Sequence, residues 1–328
     1  MQQPSQNIIL FPKWKEQLEN ESLQALHEKR YKEALEKFNK LIHYAITSHE
    51  ILIGKIICLI ELEKYEEAEE MCLHAMSQRD TNYYHFVHIY LTILFQTNQY
   101  DLLMDTVEEA LSNKTKIPVI IQEQFQQLYD MSVKIKQDLI SEQSVELISE
   151  LFEAIQTNDF IKQWVHIENL RSIKAIPTKK VIQLLKNDDI HPVVKTAIFQ
   201  WLQSVNFSDF IHITKFGASL HLNPLDIPDL KALSTIKQTM LLFANLEQKN
   251  PSLFDILEQL LYRYVYVWYP FIPSHQDVME IAEALKYIGN QYLYGENDAY
   301  EVEMESKTGK YIEEIEMCEK LYLSIIDA

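Results

Sequence analysis

The chain has 328 residues, 47% of them apolar, and its 48 acidic against 30 basic side chains leave a net charge of −18. Only 5 residues are Gly, and no G-x-G or G-x-x-x-x-G-K occurs, so folds that cradle phosphate on a glycine loop are excluded. The acidic excess also disfavours a protein that tracks a phosphate backbone, and nucleic acid is not expected as a partner.

At the N-terminus, Met1 to Lys15 lacks a basic leader, and its apolar run reaches only from Ile8 to Phe11. No stretch approaches the roughly 18 apolar residues of a membrane span. The three cysteines, Cys58, Cys72 and Cys318, are odd in number and form no C-x-x-C, as expected of free thiols in a reducing compartment. The expectation is a soluble cytoplasmic protein with no membrane partner.

Three segments then align: Tyr31-Lys32-Glu33-Ala34-Leu35, Tyr65-Glu66-Glu67-Ala68-Glu69 and Tyr100-Asp101-Leu102-Leu103-Met104, with the Tyr residues 34 and 35 positions apart. Each opens an amphipathic helix, and a second amphipathic helix precedes it. Leu18, Ala25, Leu52, Ile56, Leu59, Val87, Leu91 and Leu94 recur at helical spacing on those preceding helices. The small Ala34 and Ala68 allow two helices to approach closely, while Phe38, Leu41, Cys72, Ala75, Val107 and Ala110 suit the seam between neighbouring pairs.

Over residues 13–115 this pattern resembles the tetratricopeptide repeat, whose period is about 34 residues. The Y-x-E-A core is complete in the first two units; in the third Leu103 replaces Ala, though Ala110 keeps the later small position. The resemblance implies an all-α fold, an α-solenoid of helical hairpins. Residues 1–138 would form the repeat domain, with repeats near 14–47, 48–81 and 82–115 and then a capping helix. Residues 139–328 would form a helical C-terminal domain with a β-hairpin near 209–222.

Such hairpins stack into a curved array with a concave face, and in the family a partner lies on the first helix of each unit. Carried over position by position, that face consists of Glu16, Glu19, Leu23, Leu26 and His27, then Glu50, Ile53, Ile57, Ile60 and Glu61, then His85, His88, Thr92, Phe95 and Gln96. The subclass that grips a C-terminal carboxylate needs Lys, Arg and Asn at these places, and none is there. An apolar ligand such as an amphipathic helix fits Leu23, Ile57, Ile60 and Phe95 better; the other candidate occupant is the chain's own later helices.

Pro118 predicts a capping helix to about Lys136, and further helices are expected near 145–156, 160–173, 178–186 and 192–205. Residues 182–198, with Asn187-Asp188 before Pro192, resemble a HEAT-type turn. Around Gly217 the alternation of Ile211, Ile213, Leu220 and Leu222 predicts a β-hairpin with a four-residue loop, Lys215 to Ala218, and His212 beside His221. Three helices should follow: one from Pro228 to about Glu247, and two opened by Ser252/Asp255 and Ser274/Asp277 capping boxes. The aromatic run Tyr262–Tyr269 fits a helix end stopped by Pro270. Residues 296–319 carry nine acidic side chains and two lysines, expected as an exposed loop before a last helix near 311–326.

No G-x-S-x-G or H-E-x-x-H occurs, and the paired histidines His85/His88 and His212/His221 lack a third ligand at matched spacing. No metal, no cofactor and no catalysis are expected. The leading reading is a protein-interaction module that binds a protein or peptide. A peptide-sensing regulator is the alternative, and a hydrolase in the C-terminal half, using His212, His221 or the acidic segment, a third.

Overall fold

The computed structural model describes residues 12–78, 82–112, 117–295 and 306–326. The chain divides into two compact units, Met1–Leu139 and Ile140–Ala328.

In the first unit helices come in pairs: α1 (Pro12–His27) with α2 (Tyr31–His43), α3 (His49–Glu61) with α4 (Tyr65–Ser77), and α5 (Tyr83–Gln96) with α6 (Tyr100–Ser112). Each of the three Tyr residues is the first residue of a second helix. On α2, Ala34, Leu35, Phe38 and Leu41 are buried at i, i+1, i+4 and i+7, and the charged residues between them face water. Ala68, Cys72 and Ala75 repeat the stripe on α4, and Leu103, Val107 and Ala110 on α6. Successive pairs meet closely where Phe38 of α2 lies against Gly54 of α3; a Cβ at Gly54 would come within 2.4 Å of the Phe38 ring. One core cluster runs from Ala25 through to Phe125.

The turn inside every pair is the same. Lys29, Glu63 and Asn98 each adopt a left-handed conformation with φ of 58°. The next amide then donates back over a full turn: Arg30 to Ala25 (2.8 Å), Lys64 to Leu59 (2.9 Å) and Gln99 to Leu94 (2.9 Å). This is the Schellman closure, which satisfies the last carbonyls of a helix and usually places Gly at the left-handed position. Here residues with a side chain occupy it, which reconciles a glycine-poor chain with so many helix ends. Asn158, Lys174 and Asn206 repeat it in the second unit at φ of 53–55°.

Sequence spacing predicts a helix ending near Lys136 and another starting near Val145, whereas α7 is one helix, Val119–Gln156. Its 38 residues contain no Pro or Gly and are rich in Gln, Glu and Leu, so losing the repeat period does not interrupt the helix. The division between the two units falls within it.

The second unit contains α8 (Phe160–Ser172), α9 (Lys179–Gln183), α10 (Pro192–Ser204), β1 (Ile211–Lys215), β2 (Ala218–Leu222), α11 (Ser234–Lys249), α12 (Pro251–Trp268), α13 (Val278–Tyr294) and α14 (Lys307–Leu323). Its central helix is α10, in which every residue from Val193 to Phe199, then Trp201 and Leu202, is buried. Pro192 opens this helix as the HEAT-like pattern predicts, and His191 caps it by accepting the Val193 amide on Nδ1 (3.3 Å). Burial, helped by the charge of Lys215, pushes the His191 pKa down to about 4.

The β-hairpin has the expected register, Ile211 opposite Leu222 and His212 opposite His221, but Lys215 pairs with Ala218. The loop is therefore two residues, not four. Phe216 (φ 48°) and Gly217 (φ 77°) are both left-handed, the geometry that matches strand twist in a tight hairpin. Ile211, Ile213 and Lys215 form the buried face of β1. Inside, Lys215 Nζ donates to Thr196 Oγ1 (2.6 Å) and to the carbonyls of Val267 (2.8 Å) and Tyr269 (2.6 Å). Lys195 of α10, also buried, donates to the Thr214 carbonyl (2.6 Å). Burial first, and then Lys195, push the Lys215 pKa well below the ordinary lysine range.

Three further expectations are corrected. The helix expected from Pro228 begins at Ser234, after a 3-10 turn at Leu230–Ala232. Asn250, not Ser252, caps α12 by accepting the Leu253 amide, and Pro251 takes the first helical position. Ser274 caps only a 3-10 turn, because Asp277 is bonded to Lys307 and Tyr311 of α14. Of the acidic segment, residues 296–305 lie outside the described residues. Gly309 falls within the first turn of α14, and Ser306 Oγ accepts its amide (3.1 Å).

Two outcomes follow. Glu63→Gly removes a Cβ from a left-handed position, a conformation that costs about 1–2 kcal/mol with a side chain, and the unfolded chain regains part of that entropy. Chemical denaturation should show stability rising by about 0.5–1 kcal/mol; a loss would refute the turn assignment. For His191 the folded pKa lies below the unfolded one, so its contribution is complete above about 6.5 and is lost as pH falls through about 4. His191→Asn keeps a capping side chain, and denaturation midpoints measured from pH 7 to pH 4 should fall less steeply than in the wild type.

Candidate functional site

The first helices of the three pairs, α1, α3 and α5, bury one side: Ser22 and Ala25, then Ile51, Gly54, Ile56, Cys58 and Leu59, then Phe86, Val87, Tyr90, Leu91, Ile93 and Leu94. The positions that sequence comparison assigns to a partner fall on the remainder of these helices, and they divide into two kinds.

Some are open. Glu16 and Glu50 are exposed, and Leu23 is an apolar side chain 38% exposed. Glu19 is half-buried and pairs with Lys15 one turn earlier at 3.7 Å. Glu50 sits in the first turn of α3, where its own amide and the Ser48 hydroxyl bond the carboxylate and hold its pKa below the usual range. Ile57 is half-buried, and His85 is exposed.

Others have work inside the unit. Ile53, Ile60 and Phe95 pack against the core. The Phe95 ring stands edge-on to Tyr100 across the turn between α5 and α6, with centroids 5.8 Å apart. His88 stacks on Phe125 of α7 at 6.4 Å and an interplanar angle of 9°. Burial, and then the neighbouring His85, lower the His88 pKa, so this imidazole takes up a proton less readily than an ordinary histidine. Thr92 donates its hydroxyl to the His88 carbonyl (2.9 Å) and is satisfied within its own helix.

The structure joins α3 to α5 through a residue that sequence comparison passed over. His49, in the first turn of α3, meets His85 edge-on at 5.8 Å and Phe86 at 5.0 Å, and its Nδ1 is buried without a partner. No local pattern points to it, because the contact bridges 36 residues of sequence. Among the described residues no group of three or more His, Cys, Asp and Glu side chains could hold a metal ion. In the hairpin, His212 and His221 lie with ring centroids 6.4 Å apart. All three cysteines are buried, and burial raises their thiols to about 11 for Cys58 and about 12 for Cys72 and Cys318, which leaves them unreactive at neutral pH. No described helix is long and apolar enough to cross a membrane.

Helix pairs at a period of 34–35 residues, closed by one recurring turn and stacked on a shared core, define a helical-hairpin repeat protein. The chain is 32% identical over 304 residues to the TPR repeat-containing protein YsoA of Bacillus subtilis (strain 168), an alignment covering 90% of each chain. It belongs to this family of tetratricopeptide-repeat proteins, which generally mediate protein–protein interactions. No family model matches the sequence. Among solved structures, the P58(IPK) TPR domain aligns with 94% of this chain and 66% of its own length, just under two thirds, at 13% identity and a TM-score of 0.32.

The division between open and packed positions has a direct consequence for stability. Phe95→Ala should cost about 2 kcal/mol, because it opens space against the core and Tyr100, and Ile57→Ala about 1 kcal/mol or less. Urea denaturation of the two variants checks this, and equal costs would contradict the separation.

Proposed function

We propose that this protein is a non-catalytic protein-binding module of the cytoplasm, in which residues 1–138 take an amphipathic helix or peptide on the face made by α1, α3 and α5. The observation that carries this reading is that Leu23 is exposed and the half-buried Ile57 lies outside the core cluster, on first helices whose other positions there include the acidic Glu16, Glu19 and Glu50. An exposed leucine by itself is ordinary; apolar positions recurring at the repeat period with carboxylates around them suit a ligand that has an apolar stripe and basic flanks. His85, linked to His49, supplies a polar, aromatic rim.

Family membership supports interaction with another protein. His88, Thr92 and Phe95 each already have a partner within the unit.

The test is affinity capture by the full chain, comparing wild type with Leu23→Asp and Ile57→Asp, each checked for an unchanged melting temperature. Leu241→Asp, at a position 73% exposed on α11, serves as the control. Placing a charge on the apolar stripe should reduce the captured partner at least about tenfold, a coupling of about 1.4 kcal/mol, and the control should not. Retention of the partner by both face variants would refute the assignment.

A further inference from the structure

The second unit contains a cleft of about 710 Å³ that neither its core nor the candidate face explains. Its size falls in the range of about 300–1,000 Å³ typical of small-ligand sites. Four helices contribute one stripe each. Trp164, Glu168 and Arg171 stand at i, i+4 and i+7 on α8, Gln200 and Gln203 on α10, Tyr262 and Tyr266 one turn apart on α12, and Tyr322 on α14.

Most of the polar atoms in this wall are occupied. Gln203 donates to the carbonyls of Pro224 (3.0 Å) and Ile227 (2.8 Å) and accepts from the Tyr269 hydroxyl (2.8 Å). The Tyr266 hydroxyl accepts from Trp164 Nε1 at 3.4 Å. Arg171 divides its guanidinium between Gln200 Oε1 (2.9 Å) and Glu168 Oε2 (3.2 Å). Among the buried polar atoms of the wall, Glu168 Oε1 is shielded from solvent and has no hydrogen-bond partner. A carboxylate oxygen in that position lacks a donor. Burial accordingly holds the Glu168 pKa above the usual carboxylate range, although Arg171 is adjacent and opposes the shift.

Asp229 and Lys231, one charge of each sign, also line the cleft, and three tyrosines form its aromatic side. Tyr322 meets Tyr262 edge-to-face at 6.3 Å and Tyr266 at 5.4 Å, so the three rings make a continuous surface and not an open cage. Aromatic faces attract cations through their quadrupole, and one already does so here: the Arg263 guanidinium lies 5.7 Å from the Tyr322 centroid. An anion would find Arg171 already committed to Glu168 and Gln200 and the charge of Lys231 offset by Asp229 in the same lining, and it would have to approach a chain of net charge −18.

We propose that this cleft binds a small organic cation bearing at least one N–H, an alkyl- or arylammonium, with that N–H donated to Glu168 Oε1 and the apolar body lying on Trp164 and Tyr262. A free amine and the lysine side chain of a peptide share this chemistry; the volume of the cleft, in the small-ligand range, favours the free amine, and the site is built from residues other than those of the α1, α3 and α5 face.

Calorimetric titration of the full chain tests this with 2-phenylethylammonium, the neutral 2-phenylethanol, the anionic 3-phenylpropionate and a lysine-containing tripeptide as probes. The ammonium should bind at one site at least about tenfold more tightly than the alcohol or the tripeptide, and the carboxylate should not bind. Glu168→Gln preserves shape and should abolish the preference for the cation over the alcohol, with an unchanged melting temperature. Trp164→Leu should weaken both the ammonium and the alcohol while leaving their ratio intact. No ammonium binding at millimolar concentration, equal affinity for ammonium and alcohol, tighter binding of the tripeptide or the carboxylate, or an undiminished preference in Glu168→Gln would each overturn the proposal.

Discussion

A two-helix hairpin has one face that it cannot hide, and the first unit is built on that constraint. Phe38 belongs to the first pair, yet it is buried only because Gly54 of the next pair lets a backbone approach its ring. The second helices α2, α4 and α6 carry the same small-and-apolar stripe, and each stripe needs a neighbour. A core that passes in this way from pair to pair depends on repetition, since every internal pair is both guest and host. It also leaves part of each first helix out of the core, and that remainder supplies the candidate face.

The second unit solves the same burial problem by other means. Its α10 is buried from Val193 to Phe199 and again at Trp201 and Leu202, with Lys195 and Thr196 among the buried positions. Two lysines then attach the β-hairpin to the helices: Lys195 reaches from α10 to Thr214, and Lys215 reaches from β1 to the last carbonyls of α12. Those carbonyls have no partner within their own helix, and a cation satisfies both their hydrogen bonding and the helix dipole. The arrangement costs desolvation, which is why the Lys215 amine has a depressed affinity for its third proton.

Much of the fold was legible because its causes are local. The Tyr period, the stripes on α2 and α4, the hairpin register and Pro192 at the head of α10 all follow from spacings within a few residues of each other. The candidate face was legible in position but not in kind. Ile57 and Phe95 look alike in sequence, both apolar and both on a first helix, and both are half-buried, yet Phe95 packs against Tyr100 and the core while Ile57 is outside that cluster. His88 likewise looked available until Phe125, 37 residues later, was seen stacked on it. The two expected capping boxes failed for a related reason: Asn250 and Pro251 form a stronger start than Ser252, and a long-range bond to α14 draws Asp277 away.

Period, hydrophobic stripes, a shortage of glycine and an acidic surplus sufficed to determine an all-helical repeat protein, because helix formation and helix pairing are governed by neighbours in the chain. Tertiary structure alone decided which half-buried side chains on the first helices join the core. It also decided which apolar side chains stay open, how His49 meets His85, and where Glu168 is left with an unpaired oxygen. Each of these depends on groups brought together from distant parts of the chain, and their cost or gain appears only once packing has removed water from between them.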